Sequence, residues 1–134
     1  MTQTNFEKLR VYQLAEQLAD RIWWIVIKWE YFPKTTIGKQ LVTAADGVGS
    51  NIAEGTGRGS HQRFIKIARG SLYETKHWLR RSYKRRLLTD AEVNDLKPII
   101  GELLPRLNAY YRWVDNAAVV TQTKHKGPST KLRK

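Results

Sequence analysis

The chain has 134 residues, with 24 Lys and Arg against 12 Asp and Glu and a net charge of +12. That length suits one domain around one core, and 41% hydrophobic residues with five Trp can fill it, which excludes a compositionally disordered chain. The lack of cysteine excludes disulfides and thiolate chemistry, and the charge biases the choice of partners toward polyanions.

Met1 to Lys8 is polar and has no apolar signal-peptide core. The first amphipathic pattern runs from about Phe6 to Tyr31, with Val11, Leu14, Leu18, Ile22, Ile25, Val26 and Trp29 at three- and four-residue steps and Pro33 as its stop. Its run Ile22 to Ile27 falls far short of the roughly 20 residues that span a bilayer, so no membrane partner and a cytoplasmic location are expected. That run is nevertheless apolar all round the helix. Trp23 and Trp24 point about 100° apart and cannot both face one core. Either one lies on the surface, or Trp23, Trp24 and Ile27 belong to a subunit interface. The rarity of large exposed apolar patches on monomers favours the interface.

The second helix spans about Thr36 to Glu54, with Ile37, Leu41, Ala44, Ala45, Val48 and Ile52 inward, and Gly55-Thr56-Gly57-Arg58-Gly59 breaking it. The glycines here and at Gly47 and Gly49 lack the Gly-Lys-Ser/Thr of a Walker loop and the preceding strand of a dinucleotide fingerprint. Close helix packing and a tight turn explain them, and no cofactor is expected. Glu54 and Arg58, four apart, form either a salt bridge holding the turn or part of an anion site with Arg63 and Lys66.

The third helix follows Ser60 as N-cap, with Phe64, Ile67, Ala68, Ser71, Leu72, Thr75, Trp78, Leu79 and Ser82 as its inward stripe. The fourth opens on the capping box Thr89-Asp90-Ala91-Glu92 and buries Val93, Leu96, Ile100, Leu103, Leu104, Leu107, Tyr111 and Val114. Pro98 and Pro105 interrupt it, and a kink or short break is expected there. Nothing alternates with period two. The expected fold is therefore all-α, an antiparallel up-down four-helix bundle over residues 1–116, followed by a basic, disordered tail at 117–134.

Chemistry has few candidates. Glu74 and His77 match one Glu-x-x-His of a di-iron bundle, which needs two such motifs and two further inward Glu. Only His61 and His125 remain, and residues 74 and 77 flank the core stripe instead of lying within it, so no metal site is expected. No nucleophile is placed with a base, and no inward carboxylate pair is evident, so no enzyme is expected. Charge is the informative feature. From Arg58 to Arg86 there are ten bases and one acid, Glu74. Arg63, Lys66, Arg69, Lys76, Arg80, Arg81, Lys84, Arg85 and Arg86 lie on or just beyond the third helix, interleaved with Tyr73, His77 and Tyr83. Ordinary solvated faces mix both signs. A one-sign face with aromatics suits phosphate neutralisation and base stacking, so RNA or DNA is the expected partner, and an acidic protein the alternative.

The stretch Gln40-Leu41…Ala44-Ala45…Gly49-Ser50-Asn51-Ile52-Ala53-Glu54-Gly55…Gly57-Arg58-Gly59-Ser60…Phe64…Ala68-Arg69-Gly70-Ser71-Leu72-Tyr73-Glu74 resembles the signature of the 23S rRNA intervening-sequence proteins, also called four helix bundle proteins. Phe6…Leu9-Arg10-Val11-Tyr12…Ala15 and Phe32-Pro33 extend the resemblance over roughly residues 6–115. It implies an up-down four-helix bundle assembled as a ring-like homopentamer without known enzymatic activity, and it makes Asn51, Glu54, Gly55 and Arg58 the family motif. The family is similar to the accessory variability proteins of diversity-generating retroelements, which implies a reverse transcriptase and nucleic acid as partners. Pro98, Pro105 and the basic tail depart from the pattern.

Overall fold

Apolar residues that recur at three- and four-residue steps, with no stretch alternating at period two, leave this chain one way to bury them, which is helix against helix. A computed structural model describes residues 9–58 and 61–126, with the backbone alone for residues 57, 58, 61 and 114–126. Helix α1 is Arg10–Val26. A short turn leads to Tyr31–Pro33 and the π-helical Lys34–Gly38, which run on into α2, Lys39–Arg58. Helix α3 is His61–Lys84 and α4 is Asp90–Lys126. The fold is an all-α four-helix bundle with no strand among the described residues. Nor is any helix there long and apolar enough to cross a membrane.

The chain packs in the order of its sequence, α1 on α2, α2 on α3 and α3 on α4, and α1 closes the ring on α4. Paired contacts fix the directions. A Cβ on Gly38 would meet Val26 while one on Gly49 would meet Tyr12 and Ala15, so α1 and α2 run antiparallel. Arg10 pairs with Glu102 and Arg21 with Asp95, so α1 and α4 do too. Tyr83 bonds Asp90 while Arg69 bonds Asn108, which makes α3 and α4 antiparallel.

The core follows the sequence closely in the first two helices. Val11, Leu14, Leu18, Ile22, Ile25 and Val26 are buried, as are Ile37, Leu41, Ala44, Ala45, Val48 and Ile52. Leu72, Ala68, Thr75, Ser82, Leu96, Leu103 and Leu107 complete it from α3 and α4. On α4, Ile99 is buried where Ile100, expected inward, is half-buried, and α3 shows a similar exchange. Ile67 is 42% exposed, and Ile65 is buried in its place. Ile65, Ala68, Leu72, Thr75 and Ser82 lie within one arc, whereas Ile67 stands roughly 90° away from its centre.

Three boundaries also differ. The turn after α1 falls at Ile27–Glu30, closed by the Trp29 amide on the Val26 carbonyl at 3.0 Å, and not at Pro33. Pro33 sits in the first turn of the next helical segment, where its missing N–H has no carbonyl to serve. Helix α2 continues through Gly55 to Arg58. Helix α4 is unbroken at Pro98 and Pro105. The carbonyls that these prolines leave without intrahelical donors belong to Asn94 and Gly101, and all four residues are exposed, so water can satisfy them. The α4 backbone remains helical to Lys126, past the boundary set at residue 116, since no Gly or Pro intervenes before Gly127-Pro128. The rest of the expected tail lies outside the described residues, as does the Ser60 cap.

Candidate nucleic-acid interface

Helix α3 turns its buried stripe toward α2 and α4, and its opposite face carries the bases. At 100° per residue, Lys66, Tyr73 and Arg80 form one seven-step row and Arg63, Gly70, His77 and Lys84 the next. All seven are exposed. From Arg63 to Lys84 this face is about 30 Å long. Tyr73 is 51% exposed between two bases, well placed for a stacked ring.

Not every predicted base belongs to the open face. Arg69 is half-buried and turned to α4, where Nη1 donates to the Asn108 Oδ1 at 3.3 Å and the guanidinium lies 4.3 Å from the Tyr111 ring centroid. Arg81 is half-buried. Arg63 lies 5.7 Å from the Phe64 ring. Lys76 stands on the α4 side of the face. Tyr83 also leans that way, donating its hydroxyl to Asp90 Oδ1 at 2.9 Å, a bond that together with the Asp90 charge raises the phenol above its ordinary pKa. Arg85 and Arg86 are exposed in the turn after α3. Arg86 has φ 63°, a left-handed conformation that sequence reading did not anticipate.

The acids lie elsewhere. Glu102 on α4 accepts two bonds from Arg10 at 2.8 and 2.9 Å and one from Arg106 at 2.7 Å, which holds its carboxyl below the usual carboxylate range. Asp95 pairs with Arg21. Glu74, the one acid on α3, accepts from the Trp78 indole at 3.3 Å. Among the described residues, Arg63, Lys66, Lys76, Arg80, Arg81, Lys84, Arg85 and Arg86 have no ion-pair partner. The α3 surface is therefore positive because Glu74 is its one acid and none of these bases is paired with an acid among the described residues.

The motif between Asn51 and Arg58 lies within α2. Asn51 is half-buried and its Nδ2 donates to the Gly47 carbonyl at 2.7 Å, and Gly55 is buried. Glu54 is half-buried. The side chain of Arg58, and with it the expected Glu54–Arg58 pair, lies outside the described residues. The glycines act in packing. A Cβ on Gly47 would come within 3.0 Å of the Ser71 hydroxyl of α3. Glu74 and His77 are exposed, and no group of three or more potential metal ligands occurs among the described residues.

Neither tryptophan of the Trp23-Trp24 pair enters the core. They are 48% and 62% exposed, with Ile27 beside them at 36%. Trp24 lines a groove toward α4 with Arg21, Lys28 and Glu92. Trp23 shares the other side of α1 with Glu16, Asp20 and Ile27, which follow at helical steps.

Fold and surface together define a small helical bundle with one strongly cationic helix. The chain belongs to the 23S rRNA-intervening sequence protein family, whose sequence profile matches residues 7–109. No curated protein matches it.

Proposed function

We propose that this protein is a non-catalytic, self-associating accessory protein that binds RNA or DNA through the outer face of α3. What supports the reading is the run of exposed bases Lys66, Arg80, Lys84, Arg85 and Arg86, which no acid of the described residues neutralises. Bringing phosphates to such a face releases their counterions. Tyr73 and His77 offer rings to unpaired bases. No groove-reading motif accompanies them, so recognition rests on backbone charge and stacking, with little sequence preference. A cytoplasmic site of action is part of the proposal, and a ring-like homopentamer and a partner reverse transcriptase are carried over from the resemblance.

The test is anisotropy of a labelled single-stranded RNA titrated with the protein at several salt concentrations. The expected affinity falls steeply with salt. Replacing Lys66, Arg80, Lys84 and Arg85 with Glu abolishes binding while the helical spectrum stays intact. Binding that is absent at low ionic strength, or indifferent to salt, refutes the reading. Capture of an acidic protein that survives nuclease, with no RNA bound, supports the docking alternative instead.

A further inference from the structure

Two large rings stand at one end of the bundle, apart from the α3 face. Tyr31 and Phe32 are the two most exposed large apolar side chains among the described residues. Gly38 lies against Val26 at the end of α1. Tyr31, seven residues earlier in a continuous helical path, therefore overhangs that end by about 10 Å. Both rings are carried on a tied turn. The Thr35 hydroxyl donates to the Tyr31 carbonyl at 2.9 Å and the Thr36 hydroxyl to the Phe32 carbonyl at 2.7 Å. The Lys34 amide donates to the Glu30 carbonyl at 2.9 Å, and Pro33 fixes the backbone between them. A ring on a backbone already set loses little freedom when a ligand stacks on it.

The same end of the bundle is cationic. Helices α2 and α3 run antiparallel, with Gly47 against Ser71. Lys34 lies thirteen positions before Gly47 and Lys84 thirteen after Ser71, so the two stand nearly level. Tyr31 and Phe32 are then level with Arg85 and Arg86 in the turn that follows α3. Lys84, Arg85 and Arg86 are exposed and have no ion-pair partner among the described residues. The row of bases along α3 thus runs out at the end of the bundle where the neighbouring helical element presents its two rings.

We propose that this end is a platform for unpaired nucleic acid, where a strand leaving the α3 face past Lys84, Arg85 and Arg86 stacks its bases on Tyr31 and Phe32. Neighbouring helical positions point about 100° apart, so each ring takes a base of its own. Unpaired bases can splay out and stack on such rings, while a duplex keeps its base faces inside. A flat anionic bilayer would press the exposed Glu30 against its headgroups along with the rings, whereas a strand needs only a path past it. This inference rests on the nucleic-acid binding proposed above and gives it a substrate class, single strands in preference to paired ones.

The experiment compares the anisotropy of a labelled oligouridine with that of a labelled RNA duplex of equal length, each titrated with the full chain. Tyr31→Ala with Phe32→Ala is expected to weaken oligouridine binding about tenfold or more. The salt slope should not change, because no charge is removed. Duplex binding and the melting temperature should also hold, since both side chains are exposed. Tyr31→Trp with Phe32→Trp keeps a stacking face at each position and should retain the affinity. A 5-iodouracil strand irradiated on the wild type should cross-link within the peptide that carries Tyr31 and Phe32. A wild type that binds no strand at low ionic strength overturns both this platform and the proposed function. A wild type that binds, with an alanine variant that binds oligouridine equally well or loses strand and duplex alike, overturns the platform and leaves the α3 face standing. Pelleting with phosphatidylserine vesicles that needs the two rings, while oligouridine binding does not, also overturns it and assigns the end to a lipid surface.

Discussion

The Arg86 amide donates to the Tyr83 carbonyl at 3.0 Å, and Arg86 itself stands in the left-handed region at φ 63°. The Leu87 amide reaches the Ser82 carbonyl at 2.8 Å, so the end of α3 is a Schellman motif with arginine where glycine is usual. A side chain in that conformation costs about 1–2 kcal/mol. A cation near the helix C-terminus offsets part of this, about 0.3–1 kcal/mol. Arg86→Gly is therefore expected to stabilise the protein by about 0.5–1 kcal/mol in a urea melt, after allowing for the added freedom of glycine in the unfolded chain. The same variant is expected to bind RNA more weakly, with the salt slope reduced by roughly 0.7 for the lost phosphate contact. Gain in stability with loss of affinity marks a residue kept for binding. A variant that is stabilised and binds unchanged removes Arg86 from the interface.

Glycine is a packing requirement at one position and an expense at another. A Cβ on Gly38 would stand 2.7 Å from Val26 Cγ1 and 3.2 Å from the Pro33 carbonyl oxygen, where α1 and the start of the next helical segment meet. Gly38→Ala must displace backbone or Val26 and is expected to cost about 1–3 kcal/mol. Gly70, on the outer face of α3, has nothing within 4 Å of a Cβ. Gly70→Ala is expected to stabilise by about 0.5–1 kcal/mol through helix propensity alone. Thermal melts of the two variants should move in opposite directions.

The bond between Arg10 and Glu102 predicts the acid limb of stability. Hydrogen bonds from Arg10, with Arg106 adding to them, hold the Glu102 carboxyl below its usual range. A depressed carboxylate contributes fully above its unfolded pKa and loses its contribution as pH falls through the folded one. Arg10→Met removes the larger interaction. The stability gap between wild type and variant should hold constant near neutral pH and close below about pH 4. A gap that widens in acid contradicts the assignment.

Much of this molecule was legible because local signals agreed with packing. The capping box read from Thr89 and Glu92 is present in both directions, the Thr89 amide on Glu92 Oε1 at 2.9 Å and the Glu92 amide on Thr89 Oγ1 at 3.1 Å. The inward positions of α2 all proved buried, since its outward positions other than Val42 are polar or small and offer no competing stripe. Around Ile65 and Ile67 the apolar residues crowd, two stripes compete, and sequence alone chose the wrong one. Pro33 misled because a proline stops a helix or starts one with the same residues nearby. The charge on α3 could be read, but the diversion of Arg69 to α4 could not. It depends on Asn108 and Tyr111, about forty residues away in the sequence and adjacent only in the fold.

That diversion allows a direct separation of structural from binding arginines. Arg69 stacks on Tyr111 and bonds Asn108 in a half-buried setting, so Arg69→Ala loses a cation–π contact and a hydrogen bond between α3 and α4. The expected cost is about 1–2 kcal/mol in urea unfolding, with the salt slope of RNA binding unchanged. Lys66 lies on the exposed face with no ion-pair partner among the described residues. Lys66→Ala should leave stability within about 0.5 kcal/mol and reduce the slope by roughly 0.7. Arg69→Lys adds a finer test, because a lysine keeps the charge but not the planar stack. It should recover little of the lost stability. If Arg69→Ala lowers the slope as far as Lys66→Ala does, the guanidinium leaves Tyr111 when RNA arrives, and the binding face extends over the α3/α4 edge.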